Sequence, residues 1–399
     1  MKLHCDITLP ASKSESNRVL MIAAYGGFAP DVKNLSECSD TIILSEAINN
    51  VRKGESQIDI ADSGTAARFL TTYLAGLEGN WLLTGTERMC QRPMAPLVDA
   101  LLSLGADIKY VEREGFLPLQ INGKSIEGGK VSIDMAQSSQ FASSLLMAAP
   151  MWPQGLEMEM LGDLNSLPYL NMTFAMMRHF SAQVERVGRT IIVKPYPYQK
   201  QHFTIESDWS AASYWYEMAV FSEECDIRLK SLNLRSLSPV EASKGCLDLQ
   251  GDSIIAEWMT QLGVGSFVEG EDVILRKIPF EKRPLSFDFS QHPDLYPTIA
   301  ATCAGLNIET HFTGLDNLAL KESNRVDAMQ MELSKLNNWP MHFCAHNDHR
   351  IVMALAPLSM LVGSVSFDHP EVVNKSYPSF WKDTSFCLLR DKMSSFLDL

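Results

Sequence analysis

Seven short segments of this 399-residue chain concentrate side chains that can hold an anion or move a proton. In Leu9-Pro-Ala-Ser-Lys-Ser-Glu-Ser-Asn-Arg, Lys13 and Arg18 stand among four small polar residues, where an alternating stretch gives way to a helical one. Backbone N–H groups, hydroxyls and the positive end of a helix meet at such a junction and suit a phosphate or a carboxylate. A capped surface helix with two solvated cations fits the same residues. In Asp62-Ser-Gly-Thr-Ala-Ala-Arg-Phe-Leu, Gly64 permits close approach to the backbone and Thr65 starts a helix. The segment contains neither Gly-Lys-Ser/Thr nor Gly-x-Gly-x-x-Gly, so it is not a nucleotide loop, and a tight capped turn is its plainer reading. Arg92 in Arg88-Met-Cys-Gln-Arg-Pro-Met is fixed by Pro93 and can offer a bidentate fork, or lie on a surface loop. Ser138, Ser139 and Gln140 in Gln137-Ser-Ser-Gln-Phe-Ala open an apolar helix and can donate to one anion or simply cap the helix.

The remaining segments mix charges. If Leu320-Lys-Glu-Ser-Asn-Arg-Val-Asp is helical, Lys321 and Arg325 share a face with Glu322 beside them. Two such cations repel unless an anion or a carboxylate sits between them; a solvated face is the alternative. Asn347-Asp-His-Arg leads into the apolar run Ile351 to Gly363 and places Arg350 at the mouth of a buried helix. His349 lacks a partner at metal-ligand spacing, so no metal is expected. Lys375 precedes a terminal helix and by itself is an ordinary loop lysine. Together these cations lie at element junctions, where ligand sites form. They outnumber the needs of one monoanion, so two anionic substrates or one polyanion are expected.

The elements that must position them follow from periodicity. Lys2 to Leu9 reads as a strand, with helices from near Asn17, over Thr41 to Val51, from Asp62–Thr65 through Leu77, and over Pro96 to Leu104. Strands fit Gln57 to Ile60 and Trp81 to Thr84. A weak repeat recurs, a helix followed by a short strand: Leu97–Leu104 then Ala106–Val111, Met172–Phe180 then Ala182–Val187, Ile254–Leu262 then Gly265–Val268, Met329–Leu336 then Met341–Cys344. Leu119–Ile121 and Lys130–Ile133 read as a hairpin. The unit therefore mixes βαβ with a hairpin, unlike a strict βαβα barrel.

Length favours two domains. A hydrophobic share of 46% and a charged share of 21% are ordinary for a globular chain. The formal net charge of −14 disfavours nucleic acid and acidic membrane as partners while allowing a local basic pocket. The longest apolar run is too short to span a bilayer. Eight scattered cysteines, Cys246 among them, with no apolar leader, fit a reducing cytoplasm.

In this order, from Leu9 to Phe380, the segments resemble the 5-enolpyruvylshikimate-3-phosphate synthase family. The resemblance implies an α/β fold of two lobes, each an inverted α/β barrel built from repeated βαβαββ units. The first lobe would span 13–206 and the second 1–12 with 207–399, with the active site in the cleft between them. It implies transfer of the enolpyruvyl group of phosphoenolpyruvate to the 5-hydroxyl of shikimate 3-phosphate, with phosphate released through a tetrahedral ketal phosphate. No cofactor and no metal are implied, and a cytoplasmic monomer is expected. By resemblance, Lys13 touches both substrates. Ser14, Arg18, Ser138, Ser139, Ser166, Tyr169, Asn317 and Lys321 meet shikimate 3-phosphate, as does Asp294 facing the reacting hydroxyl. Gly64, Arg92, Arg325, Arg350 and Lys375 meet phosphoenolpyruvate, and Gln140 lies between the two. Lys13, Asp294 and Glu322 are the catalytic candidates. Asp294 or Lys13 takes the hydroxyl proton and Glu322 protonates the methylene carbon.

The chain departs from the family pattern at Asp62, where Asn is frequent, at Leu167, where a basic residue is frequent, and at Ala319, where arginine is common. Arg325 and Asn347 also lie closer together than usual, which points to a trimmed hairpin or loop. The rival family of UDP-N-acetylglucosamine enolpyruvyl transferases resembles this chain less. That family carries Lys-Asn where this chain has Lys13-Ser14, and a cysteine where this chain has Glu87; Cys90 does not substitute. A catalytically silent binding protein on the same fold is the other alternative.

Overall fold

A computed structural model describes residues 1–234, 249–336 and 341–388. Cys246 lies outside them, and the other seven cysteines are free thiols. The chain divides into two compact units. One is contiguous, Lys13–Ile205, and the other joins Met1–Ser12 to Glu206–Leu399.

The chain begins in the discontinuous unit with strand β1 (Lys2–Thr8) and enters the contiguous unit at helix α1 (Lys13–Tyr25). Strand β2 (Asp31–Lys33) and helix α2 (Ser39–Arg52) follow. Then comes β3 (Gln57–Asp59), α3 (Gly64–Ala75), β4 (Gly79–Thr84), α4 (Ala95–Ser103), β5 (Asp107–Tyr110) and β6 (Leu119–Gly123). The order of pairing is β3-β4-β6-β5, with β3 parallel to β4 and the other pairs antiparallel. The same order recurs immediately. Strand β7 (Gly129–Asp134), α5 (Ser139–Ala148), β8 (Leu156–Leu161), α6 (Leu167–His179), β9 (Val184–Val187) and β10 (Thr190–Val193) pair as β7-β8-β10-β9. Each is a βαβαββ unit. Strand β11 (His202–Thr204) closes the segment by pairing in parallel with β2.

Apolar alternation explains the sheets. Along β8, Leu156, Met158 and Met160 turn inward, and Met158 stands opposite both Val131 and Ile191. The expected hairpin between Leu119–Ile121 and Lys130–Ile133 does not form. The two strands share an alternating pattern but end one repeat and begin the next, and they belong to different sheets. Helix α1 begins at Lys13, four residues ahead of the expected start near Asn17, so Lys13 is itself helical.

Helices α3 and α5 run parallel. Gln140 Nε2 donates to Thr65 Oγ1 at 3.1 Å, and one turn further along α5 the Ser144 hydroxyl donates to the Arg68 carbonyl and lies 2.6 Å from Thr72 Oγ1. Both are nearly buried all round, and their N-terminal ends are therefore neighbours.

In the discontinuous unit, α7 (Trp209–Phe221) is capped by Asp208, whose side chain accepts from the Ala211 N–H at 2.9 Å. Next come β12 (Glu224–Lys230), α8 (Ile255–Thr260), β13 (Val264–Glu269) and β14 (Asp272–Lys277). Pairing runs β1-β12-β14-β13, the same order once more, with Ile7 opposite Leu229 across the parallel pair. Strand β15 (Leu285–Asp288), α9 (Tyr296–Gly305), β16 (Thr310–Thr313) and α10 (Arg325–Leu333) begin another repeat, with β15 parallel to β16. Among the described residues no antiparallel hairpin follows α10. The next strand, β17 (Met341–Phe343), pairs in parallel with β18 (Val365–Phe367). Between them the apolar run forms α11 (His349–Leu355), a 3₁₀ turn over Ala356–Leu358 and α12 (Ser359–Val362). It is one buried helix only as far as Leu355, because Pro357 has no N–H to continue it. The last described helix is α13 (Phe380–Leu388). Among the described residues no helix is long and apolar enough to cross a membrane.

Candidate active site

Two sets of polar residues, one in each unit, hold the expected site residues. In the contiguous unit, Lys13 is the first residue of α1, and its ammonium lies 3.2 Å from Asp40 Oδ2. Arg18, one turn later, is buried. Its Nε donates to Thr173 Oγ1 at 2.8 Å, and its two terminal nitrogens donate to the Ser14 carbonyl at 2.9 Å and the Tyr169 carbonyl at 3.2 Å. Arg18 therefore ties Ser14 to the start of α6, where Ser166 stands at φ 57° just before Leu167. Burial pushes the Arg18 guanidinium down to about 10, against the opposing pull of Tyr169 and Glu15. All three of these nitrogens bond to the protein, so Arg18 braces Ser14, Tyr169 and Thr173.

Gly64 opens α3 behind Ser63, whose hydroxyl accepts from the Ala66 N–H at 3.3 Å. A β-carbon on Gly64 would stand 2.4 Å from Arg92 Nη1 and 2.6 Å from Arg68 Nη1. Two guanidinium groups therefore crowd the start of α3. Arg68 donates to the Gly64 carbonyl at 3.0 Å and the Pro93 carbonyl at 3.2 Å, which braces the Arg92–Pro93 turn. Arg92 is 8% exposed, and its Nε is buried without a hydrogen-bond partner among the described residues. Neighbouring guanidiniums at a helix N-terminus suit a phosphate. Across from them, Ser138 caps α5, Ser139 is its first residue, and Gln140 bonds Thr65. Asp62 sits in the turn before the Ser63 cap, partly exposed.

In the discontinuous unit the charges close on themselves. Asp294 lies in a 3₁₀ turn over Pro293–Leu295 and meets three cations: Lys321 at 3.4 Å, Arg325 at 2.8 Å and Arg350 at 2.8 Å. Arg325, 1% exposed, also meets Glu322 at 2.8 Å and Asp348 at 2.8 Å. Burial penalises the Arg325 charge, but Asp348, Glu322 and Asp294 more than offset it and hold the group above its ordinary value. Burial pushes the Lys321 ammonium down, with Asp294 opposing. Lys321 and Arg325 do not share one helix. Lys321 is extended, Asn324 caps α10, and the helix starts at Arg325. The carboxylate that two such cations require is nevertheless present, supplied by Asp294 from far along the chain. Asn317 is buried within the 3₁₀ segment Asp316–Leu320 and Lys375 at the end of Pro370–Lys375, and Ala319 is exposed. Among the described residues no group of three or more His, Cys, Asp or Glu is arranged to hold a metal ion.

Sequence reasoning passed over Arg68, Asp40 and Asp348. Arg68 follows Gly64 by one helical turn, a spacing that put it beside the glycine's carbonyl. Asp348 stands where a helix cap is expected, and its side chain accepts from the Arg350 N–H at 3.0 Å. No local signal ties Asp40 to Lys13.

Three comparisons bear on this arrangement. The fold matches an EPSP synthase from Acinetobacter baumannii at a TM-score of 0.70 and 20% identity, over 97% of this chain and 96% of that one. It also matches an enolpyruvyl transferase from Streptomyces tendae at 0.67 and 13%, over 96% and 95%. The fold is thus that of the enolpyruvyl transferases. A curated 3-phosphoshikimate 1-carboxyvinyltransferase of Bacteroides fragilis is 39% identical over 96% of this chain and 95% of its own length. The family model described as EPSP synthase (3-phosphoshikimate 1-carboxyvinyltransferase) matches residues 31–339 and 340–384, and the chain belongs to that family.

Proposed function

We propose that this chain transfers the enolpyruvyl group of phosphoenolpyruvate to the 5-hydroxyl of shikimate 3-phosphate and releases phosphate. Family membership supports the reaction. The observation that carries the residue assignment is the network in which Asp294 and Glu322 share Arg325. It sets two carboxylates, the groups that move protons, among cations that hold anions. The residues of both units serve the one reaction.

As the alcohol oxygen attacks C2, its proton passes to the Asp294 carboxylate or to Lys13 in its neutral amine form. Glu322 protonates C3, giving a tetrahedral ketal phosphate. Removal of a proton from C3 then expels phosphate and restores the enol. Arg68 and Arg92 at the start of α3, with Arg325, Arg350 and Lys375, offset charge on phosphoenolpyruvate and the departing phosphate. Ser14 and Tyr169, braced through Arg18, hold shikimate 3-phosphate with Ser138, Ser139, Ser166, Asn317 and Lys321. Phosphoenolpyruvate carries its own leaving group, so the chemistry calls for neither metal nor organic cofactor. We read the protein as a cytoplasmic monomer that takes small anions and neither nucleic acid nor membrane.

The test is coupled phosphate release with phosphoenolpyruvate and either shikimate 3-phosphate or UDP-N-acetylglucosamine. Release with shikimate 3-phosphate alone is expected. Release only with the nucleotide sugar, or with neither, refutes the proposal.

A further inference from the structure

One buried carboxylate beside the Asp294 network has no part in the reaction above. Glu332, in the last turn of α10, is fully buried. It accepts from the Cys344 N–H at 2.9 Å, from His346 Nε2 at 2.9 Å and from the Lys335 ammonium. Two of those donors belong to the segment that leaves β17 for α11. There His346 and Asn347 both stand at φ 51°. Residues with side chains enter this left-handed region at a cost, and two in succession need outside support. Glu332 supplies it from one direction. Asp368 supplies it from another, accepting from the Ala345 N–H at 2.7 Å.

Directly beyond this turn are Asp348 and Arg350. Asp348 caps α11 and accepts from Arg325 Nε at 2.8 Å and the Ser323 hydroxyl at 3.1 Å. Arg350 meets Asp294. Helix α10 therefore grips the 344–350 segment at two points. Arg325 holds it at the first residue of the helix and Glu332 two turns later, about 10 Å along the axis. The helices α4 and α6 are each followed by an antiparallel hairpin, and among the described residues α10 is not.

We propose that His346 is a positioning residue. Through its bond to Glu332 it keeps the turn left-handed, and the turn sets where Asp348 and Arg350 stand. This rests on the reaction proposed above, in which Arg350 meets phosphoenolpyruvate. Without the bond the turn relaxes toward ordinary backbone, and Arg350 loses its single position.

Three variants test it: His346→Ala, His346→Gln, whose amide nitrogen falls near the position of Nε2, and Lys335→Ala, which removes another Glu332 donor without touching the turn. In His346→Ala the KM for phosphoenolpyruvate should rise about tenfold while kcat and the KM for shikimate 3-phosphate hold within about twofold. His346→Gln should return the KM to within about threefold of the parent, and Lys335→Ala should lower Tm alone. A merely structural role would lower kcat with the folded fraction and leave both KM values in place. Amide exchange at Arg350 should speed in His346→Ala and not in Lys335→Ala, a readout independent of turnover. An unchanged Arg350 exchange rate, an unchanged KM for phosphoenolpyruvate, or an equal rise in Lys335→Ala overturns the proposal. If the parent protein turns over neither substrate pair, the reaction is wrong, and the exchange measurement still decides whether His346 sets the turn.

Discussion

Replacing Gly64 with alanine perturbs the proposed phosphate site by a known displacement. The new β-carbon would stand 2.4 Å from Arg92 Nη1, about 1 Å inside the 3.4 Å at which ordinary contact begins, and 2.6 Å from Arg68 Nη1. Backbone strain does not intervene, since Gly64 is outside the positive-φ residues. Alanine at the first turn of α3 even favours the helix, by up to about 1 kcal/mol. The atoms that must yield are the far ends of two arginines, so folding should survive and Tm should stay near the parent value. The guanidiniums, however, must retreat by about 1 Å from the place where a phosphate would meet them, and a misplacement of that size costs on the order of 10²-fold. The KM for phosphoenolpyruvate should therefore rise roughly 100-fold at saturating shikimate 3-phosphate, with the KM for the latter much less affected. Phosphate release against phosphoenolpyruvate concentration, together with thermal unfolding, measures both quantities. A KM within about threefold of the parent, with Tm unchanged, would show that Arg92 and Arg68 do not receive phosphoenolpyruvate and would refute the reasoning.

Glu322→Gln keeps the shape of the side chain and a partner for Arg325, but removes the proton donor; kcat should fall about 10²- to 10⁴-fold while shikimate 3-phosphate still binds by calorimetry. Asp294→Asn should lower kcat by a similar factor, roughly 10²-fold or more, and a loss below about tenfold would clear Asp294 of the base role. Glu217 gives a pH-dependent test. It is fully buried in α7, its carboxyl oxygens have no hydrogen-bond partner among the described residues, and burial raises its pKa well above the ordinary value. The native state thus holds this proton where the unfolded chain, with a pKa near about 4.3, has released it, so Glu217 destabilises increasingly as pH climbs from about 4.3 toward the folded pKa. Glu217→Gln should leave Tm nearly unchanged near pH 4 and raise it at neutral pH, by roughly 2–4 °C for each kcal/mol recovered; a gain independent of pH would contradict the burial argument.

Local chemistry made much of the fold legible. Periodicity marked β1, β3 and β4, and the cap at Ser63 marked the start of α3. Strand partners were not legible in the same way, because alternation tells which side chains turn inward and not which strand lies alongside. That is why Leu119–Ile121 and Lys130–Ile133 read as partners while belonging to different sheets. At the site, the need for an anion or a carboxylate between Lys321 and Arg325, if they shared a face, was visible in their charges. Its identity was not, since Asp294 stands a strand and a helix earlier in the chain and was reached through family resemblance. Arg68 was missed although its helical spacing from Gly64 was in plain view; its role appears only when the loop carrying Arg92 and Pro93 folds onto it.

The path of the chain through its units has a consequence for biosynthesis. Strand β1 is made before the whole of Lys13–Ile205, yet its partner β12 emerges only after it. Every contact inside the contiguous unit can thus form while the sheet containing β1 still lacks its neighbour. The N-terminal strand must wait as an unpaired edge, a template for stray association. Its loose alternation and flanking charges, with Lys2 and Asp6 later claimed by Glu224 and Lys230, temper that exposure. A permuted chain starting at Lys13, with β1 joined after the present C-terminus, would exchange that early wait for a late one.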